Sequence, residues 1–427
     1  MSLFDLVRKN VSSAQRIAHT SFVVQKNSFR WLLNRKPIPE VLCSTMVELG
    51  TTYIKLGQLI ASSPSIFPHE YVEAFQNCLD QTPTVPYEII EKILRDELGE
   101  KINDFAKIEQ TPLASASIAQ VHVAQLKTGE NVVIKVQKPG VQRIVETDCH
   151  FLQFSASVIE LLNPALARSS ITDIVAEIRN GMLKECDFLQ EAENIREYHE
   201  FLVATDNQLV VVPKVYSDYS TTQVLTMERF YGVSLVDLDA VKRYIDDPEE
   251  ALIGALNTWF ASIQQCQIYH ADLHAGNVMA LIDGRIGFID FGIVGKISDK
   301  VWKALVSLTI CLPLQDYLQI AQALVDIGMT DQEVDVPAFA RDIESMVKEF
   351  NGTTRSYESD EQFLRNITLK ISSVGRKNGV RFPREFVLLI KQFLYFDRYI
   401  SLLAPDLEMF NDERVALVFN NEFHEEF

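Results

Sequence analysis

Residues 270–277 read HADLHAGN, residues 278–288 read VMALIDGRIGF, and residues 289–292 read IDFG. In the middle segment Asp283-Gly284 separates two runs of alternating apolar residues, and an Asp-Gly pair flanked in this way is a strong short-range signal for a β-hairpin. Asn277 stands just before the first strand and Asp290 ends the second, so antiparallel pairing returns both to the same end. A carboxylate and an amide oxygen side by side suit Mg²⁺, a hard cation that completes its octahedron with waters and phosphate oxygens. Asp272, five residues before Asn277, then falls where an attacking group is oriented or deprotonated. Each piece is common alone. Their order along one hairpin points to phosphoryl transfer.

Further parts of the same chemistry lie upstream. VVIKVQ at 132–137 is an apolar strand with Lys135 inside it, the setting in which a lysine contacts nucleotide phosphates. A lysine in such a run needs a counter-charge. Glu191, in ECDFLQEAE on the following helix, is the candidate, with Glu185 and Asp187 one to two turns earlier. The segment LASASIAQVH at 113–122 precedes that strand, and its Ala114, Ser115, Ala116 and Ser117 stand where kinases cover the phosphates with a glycine-rich loop. Alanine and serine restrict φ, so the backbone here approaches phosphates less freely. MERF at 227–230 leads into Gly232, and the backbone of Met227 and Glu228 is the candidate adenine-binding hinge.

The pattern along the chain divides it into three. Residues 1–110 read as a mainly helical extension punctuated by Pro64, Pro68, Pro83 and Pro86. Residues 111–230 form a small β-rich lobe with inserted helices; a hairpin is predicted over 117–137, and PKVYSDY with TQVLTME gives a second strand pair. Residues 231–427 form a helical lobe carrying the catalytic loop and DFG, with helix from Gly295 to about residue 409. The expected class is α+β, a protein-kinase-like bilobal fold with a helical N-terminal extension. No APE motif follows DFG, and the next helix is predicted from Ser298, which leaves almost no segment to bind a peptide.

Charge and composition narrow the partners. With 427 residues, 47% hydrophobic content and a net charge of −18, the chain has ample core material and would repel a polyanion, so no nucleic-acid partner is expected. Residues 1–36 depart from this average, with seven Lys or Arg against the single acid Asp5. Leu3, Val7, Val11, Ala14, Ala18 and Phe22 recur there at helical spacing, so the segment reads as a basic amphipathic helix. It either docks on the domain, lies on an anionic membrane surface, or serves as a mitochondrial transit peptide. No run reaches the length of a spanning helix. The expected location is cytoplasmic, peripheral at the inner membrane, with a mitochondrial alternative. The six cysteines include no CxxC pair and read as free thiols in a reducing compartment.

KLGQ at 55–58, ASASIAQVH at 114–122, VVIKVQKPGV at 132–141, ECDFLQEAEN at 185–194, HADLHAGNV and DFG resemble the successive signatures of the UbiB (AarF) family of atypical kinases. The resemblance spans residues 45–295 and extends more weakly to RFPREFVLLIKQF at 381–393. It implies a kinase-like ATPase using ATP and Mg²⁺ in ubiquinone (isoprenoid quinone) biosynthesis or related lipid metabolism, with a lipid-like or quinone-precursor small molecule as partner. It also implies that Lys55 and Gln58 come from an extension over the active site, where Lys55 meets Glu185 and Asp187. Ala119 stands where many relatives carry glycine, and the membrane-spanning tail of several bacterial relatives has no counterpart. Two alternatives stay open: a small-molecule phosphotransferase resembling aminoglycoside or choline kinases, and a nucleotide-sensing scaffold without turnover.

Overall fold

The computed structural model describes residues 3–34, 36–50, 52–54, 56–57, 69–75, 84–162, 171–266, 268–330, 333–352, 370–371, 373–407, 409 and 412–415. The chain divides into two compact units: Met1–Ala192 with Val215–Arg229, and Glu193–Lys214 with Phe230–Phe427.

The first unit is built on an antiparallel sheet of β1 (Phe105–Ile108), β2 (Ala114–Ser115), β3 (Ala119–Leu126), β4 (Asn131–Gln137) and β6 (Val224–Glu228), in the order β1-β3-β4-β6 with β2 paired to β3. The loop between β3 and β4 is closed by Leu126 N–H to Glu130 C=O (2.9 Å), and Gly129 takes the positive φ of +105° that only glycine adopts without strain. Strand side chains alternate. Val132, Ile134 and Val136 therefore share one face, where they pack on Ile90, Leu94 and Leu98 of the helix Tyr87–Leu98. Those helix positions recur every four residues and are nearly fully buried, each contributing about 1.5–3 kcal/mol. The alternation sends Lys135 to the opposite face. The Gln120 amide accepts from Val85 N–H (2.8 Å) and donates to Val85 C=O (3.1 Å), tying the entry to that helix onto the sheet.

N-terminal helices form a second core in this unit. Val23 from the helix Leu3–Asn34, Met46 and Leu49 from Ile38–Leu49, and Leu56 pack with Val145 of Val141–Leu162 and with Cys186. The first helix docks through Thr20, Val23 and Asn27, and Asn27 donates to Glu48 at 3.0 Å. Of its expected apolar stripe, the two described side chains, Ala18 and Phe22, face outward.

Two expectations on this part of the chain are corrected. ECDFLQEAE does not lie on one helix, because Ile171–Glu185 ends and Phe188–Ala204 begins within it. The Gln137 side chain donates to Cys186 C=O (2.8 Å), and the Asp187 carboxylate accepts from Leu189 N–H (3.1 Å), which fixes the break. PKVYSDY meets TQVLTME only at a single antiparallel bridge, Val215 opposite Met227, and does not form a strand. Thr226 Oγ1 donates to Tyr219 C=O (2.7 Å) and Ser220 Oγ to Tyr216 C=O (2.9 Å), so side chains occupy groups a ladder would need, and Ser217–Tyr219 turns as a 3₁₀ helix.

The second unit holds β5 (Val210–Val211), β10 (Ile286–Phe288), β9 (Val278–Leu281) and β7 (Gly232–Ser234) in that order, with β5 parallel to β10 and the other pairs antiparallel. The hairpin expected at Asp283-Gly284 is present, with Gly284 at φ +87° closing a three-residue loop. A short pair, β8 (Tyr269–His270) with β11 (Val294–Gly295), fastens the segment after DFG to the strand before Asp272. Ser298 then caps the helix Asp299–Leu314. One more short pair, β12 (Met329–Thr330) with β13 (Val380–Arg381), interrupts the C-terminal region expected to be wholly helical. The helix Pro248–Gln265 is buried on most sides, and its Trp259 packs among Tyr269, Phe393 and Phe396.

Candidate functional site

In the first unit Lys135 Nζ lies 2.8 and 3.0 Å from the two carboxylate oxygens of Glu191. Both side chains are buried, at 10% and 4% exposure, and the ammonium stands 5.5 Å from the Phe188 ring centroid. Burying two charges is tolerable only because each neutralises the other in a close, two-point contact. Ala114 and Ser115 form β2 opposite Val121 and Gln120, Ala116 N–H donates to Ala119 C=O (2.9 Å), and Ser117 is buried. The glycine-free loop is thus a tight turn against the sheet. Met227 and Glu228 lie on β6 opposite Val133 and Val132. Glu185 ends one helix and Asp187 caps the next; Lys55 and Gln58 lie outside the described residues.

In the second unit the hairpin register puts Phe288 opposite Val278, and Ile289 N–H donates to Asn277 C=O (2.9 Å), so Asn277 and Asp290 come to the same end. Asn277 Nδ2 donates to Asp272 C=O (2.9 Å), so its amide oxygen is the atom that could face a cation. Asp290 holds φ at +61°, an uncommon region for a non-glycine residue, and its carboxylate accepts from Gly292 N–H (3.3 Å). Asn194 Nδ2 donates to Phe291 C=O (2.9 Å), and Tyr198 packs on the Phe291 ring. One carboxylate and one amide oxygen are the number of protein ligands that Mg²⁺ accepts when phosphates and waters supply the rest. The residues fit that ion arriving with a nucleotide.

The loop around Asp272 is held from several sides. His270 is fully buried, and burial, despite its bond to Ile289, keeps its pKa below the ordinary histidine value. The neutral ring accepts from Asp272 N–H at Nδ1 (3.1 Å) and donates from Nε2 to Ile289 C=O (3.0 Å), linking the loop around Asp272 to DFG. Trp259 Nε1 donates to His270 C=O (3.0 Å). Burial opposes ionisation of Asp272, but the Lys391 ammonium and the His274 ring outweigh it and hold the carboxyl below the usual aspartate range. Lys391 Nζ is 2.8 Å from Asp272 Oδ1. Reading the sequence missed Lys391, Gln392 and Tyr399 as neighbours of this loop. The signal for the first two was a lysine and a glutamine interrupting the apolar run VLLIKQFLYF at 387–396; Tyr399 lies beyond it.

An antiparallel sheet with a paired lysine, and a unit carrying a His-x-Asp loop, an asparagine and DFG, are the parts of a protein-kinase-like fold. Residues 77–324 match the model of the ABC1 atypical kinase-like domain. Over 404 residues the chain is 44% identical to an aarF domain-containing protein kinase, chloroplastic by its name, from Arabidopsis thaliana, covering 90% of this chain and 75% of that one. It is 29% identical over 389 residues to the probable protein kinase UbiB of Pseudomonas aeruginosa, covering 89% of this chain and 72% of that one. The solved erythromycin complex of Rv3197 from Mycobacterium tuberculosis shares the fold, with a TM-score of 0.55 and 24% identity over 84% of this chain and 93% of that one. The chain belongs to the ABC1 (aarF, UbiB) family of atypical kinase-like proteins.

Proposed function

We propose that this protein binds Mg-ATP and either hydrolyses it or passes its terminal phosphoryl group to a small lipid-like molecule, in support of isoprenoid-quinone or related lipid metabolism. The observation that carries the reading is that Asn277 is bonded to Asp272 C=O and to the N–H of Ile289, the residue before Asp290, so that Asp272, Asn277 and Asp290 stand on one loop and hairpin. Asn277 and Asp290 would hold magnesium, which when bound neutralises charge developing on the phosphates. Lys135, fixed by Glu191, contacts phosphate oxygens; the backbone of Ala114, Ser115, Ala116 and Ser117 closes over them. Met227 and Glu228 offer backbone groups to the adenine. Asp272 accepts a hydrogen bond from the attacking hydroxyl or water and aligns it with the phosphorus. Lys55 and Gln58, which lie outside the described residues, would cover the site together with Glu185 and Asp187 and so exclude peptides. The short run from Ile293 to Ser298 favours a small acceptor over a protein. Deleting the gene should accumulate an isoprenoid-quinone precursor in extracted lipids; an unchanged quinone profile would remove the pathway assignment.

The N-terminal helix supports a peripheral membrane location. Phe22, Phe29 and Leu33 recur at helical spacing and are exposed at 63%, 63% and 68%. Among the described residues no helix is long and apolar enough to cross a membrane. Basic residues near an anionic surface add about 1 kcal/mol each, an attraction that weakens as the Debye length falls from about 10 Å at 0.1 M salt to about 3 Å at 1 M. The chain is expected to cosediment with anionic vesicles at low salt and less at high salt. Replacing Phe22, Phe29 and Leu33 with serine leaves the docking residues Thr20, Val23 and Asn27 in place and should release it. Equal sedimentation of that variant would exclude the helix as the anchor. The chloroplastic name of one relative extends the candidate membranes to an organelle's.

A further inference from the structure

We propose that Lys391 is a positioning residue of the reaction centre, whose ammonium fixes the orientation of the Asp272 carboxylate, so that the helix Arg384–Leu403 completes the catalytic loop from 119 residues away in the chain. The inference rests on the reading of Asp272 as the residue that aligns the attacking group. Lys391 lies outside residues 77–324, the span of the family model.

The contact belongs to a larger grip. On the helix Arg384–Leu403, Lys391, Tyr395 and Tyr399 follow one another at four-residue spacing and share a face, with Gln392 beside them. The Gln392 side chain is fully buried; it donates to Ala271 C=O (2.7 Å) and accepts from Leu273 N–H (2.7 Å), bonding the backbone on either side of Asp272. Tyr399 OH donates to Leu273 C=O (2.8 Å). One helix therefore fixes the main chain of residues 271–273, and Lys391 fixes the side chain at its centre. Its ammonium stands 5.4 Å from the Tyr395 ring centroid, and that ring packs edge-on to His274 at 6.4 Å. Lys391 takes Oδ1 of Asp272, while Oδ2 lies 3.9 Å from His274 Nε2. A carboxylate anchored through one oxygen presents the other in a defined direction, which is what alignment of an attacking hydroxyl or water requires. Misplacement by about 1 Å costs on the order of 10²-fold in rate.

The test uses the full chain with Lys391→Met, Lys391→Arg, Asp272→Asn and the double variant Asp272→Asn/Lys391→Met. Three quantities are measured: ATP turnover, affinity for a fluorescent ATP analogue with Mg²⁺, and melting temperature without nucleotide. Lys391→Met should lose on the order of 10²-fold in turnover, keep its nucleotide affinity and melt lower, because Asp272 is left without its counter-charge. Lys391→Arg should recover most of the turnover. The double variant should turn over no more slowly than Asp272→Asn alone and should melt above Lys391→Met. Wild-type turnover in Lys391→Met, a loss of nucleotide affinity as large as the loss of turnover, or additive losses in the double variant would overturn the positioning role while leaving the phosphotransfer reading standing. Wild-type turnover in Asp272→Asn, or no turnover by the wild-type chain despite nucleotide binding, would overturn that reading and this inference together.

Discussion

Asp290→Asn is expected to lower magnesium-dependent nucleotide turnover by at least about 10²-fold, because a bound metal ion contributes several kcal/mol of charge stabilisation to phosphoryl transfer. The substitution is well suited to the backbone. Asp290 sits at φ +61°, where an L-residue other than glycine costs about 1–2 kcal/mol, and asparagine is among the few side chains that tolerate it. The amide oxygen of asparagine can also accept the Gly292 N–H bond that the carboxylate now accepts. Fold and local hydrogen bonding are therefore retained, and the change removes one negative charge from the end of the hairpin where Asn277 also lies. Titrating a fluorescent ATP analogue with and without Mg²⁺ should show that the variant has lost the magnesium enhancement. Unchanged hydrolysis at saturating Mg-ATP would remove Asp290 from the metal site.

Lys135→Met should have the other large effect, in two separable parts. It takes the ammonium away from a carboxylate at 4% exposure, and breaking a buried pair in this way costs about 3–5 kcal/mol of stability. It also removes the cation proposed to hold nucleotide phosphates. The double variant Lys135→Met/Glu191→Met separates the parts, since replacing both members of a buried ion pair by apolar residues of similar volume is often neutral or stabilising. Urea unfolding should show most of the stability restored in the double variant, while turnover remains lost in both. Recovery of turnover along with stability would mean that the pair only supports the sheet.

How much of this was legible in the sequence depended on how far each signal reached along the chain. The hairpin was, because Asp283-Gly284 and the alternation around it are local, and the convergence of Asn277 and Asp290 follows from antiparallel pairing alone. The Lys135 contact with Glu191 was legible at a separation of 56 residues because a lysine inside VVIKVQ demands a nearby acid. The break at Cys186-Asp187 was not, since it depends on Gln137, on a different strand, taking a carbonyl that a continuous helix would have used. Lys391 was missed for the same reason at greater range: a lysine interrupting an apolar helix reads as a solvated residue until its partner is known. The first helix shows a different limit. Periodicity identified an apolar stripe, but Thr20 and Asn27 supply polar docking positions that no apolar pattern marks, so which face turns inward could not be read.

The most direct test of the central claim is a single-turnover experiment in which excess wild-type chain meets γ-labelled ATP, Mg²⁺ and extracted membrane lipid, with Asp272→Asn alongside. The label is expected to leave ATP in the wild-type reaction, as inorganic phosphate or on a lipid-extractable product, and to stay on ATP with Asp272→Asn. Label retained on ATP that is bound by the wild-type chain would contradict the account and make the protein a nucleotide-binding scaffold.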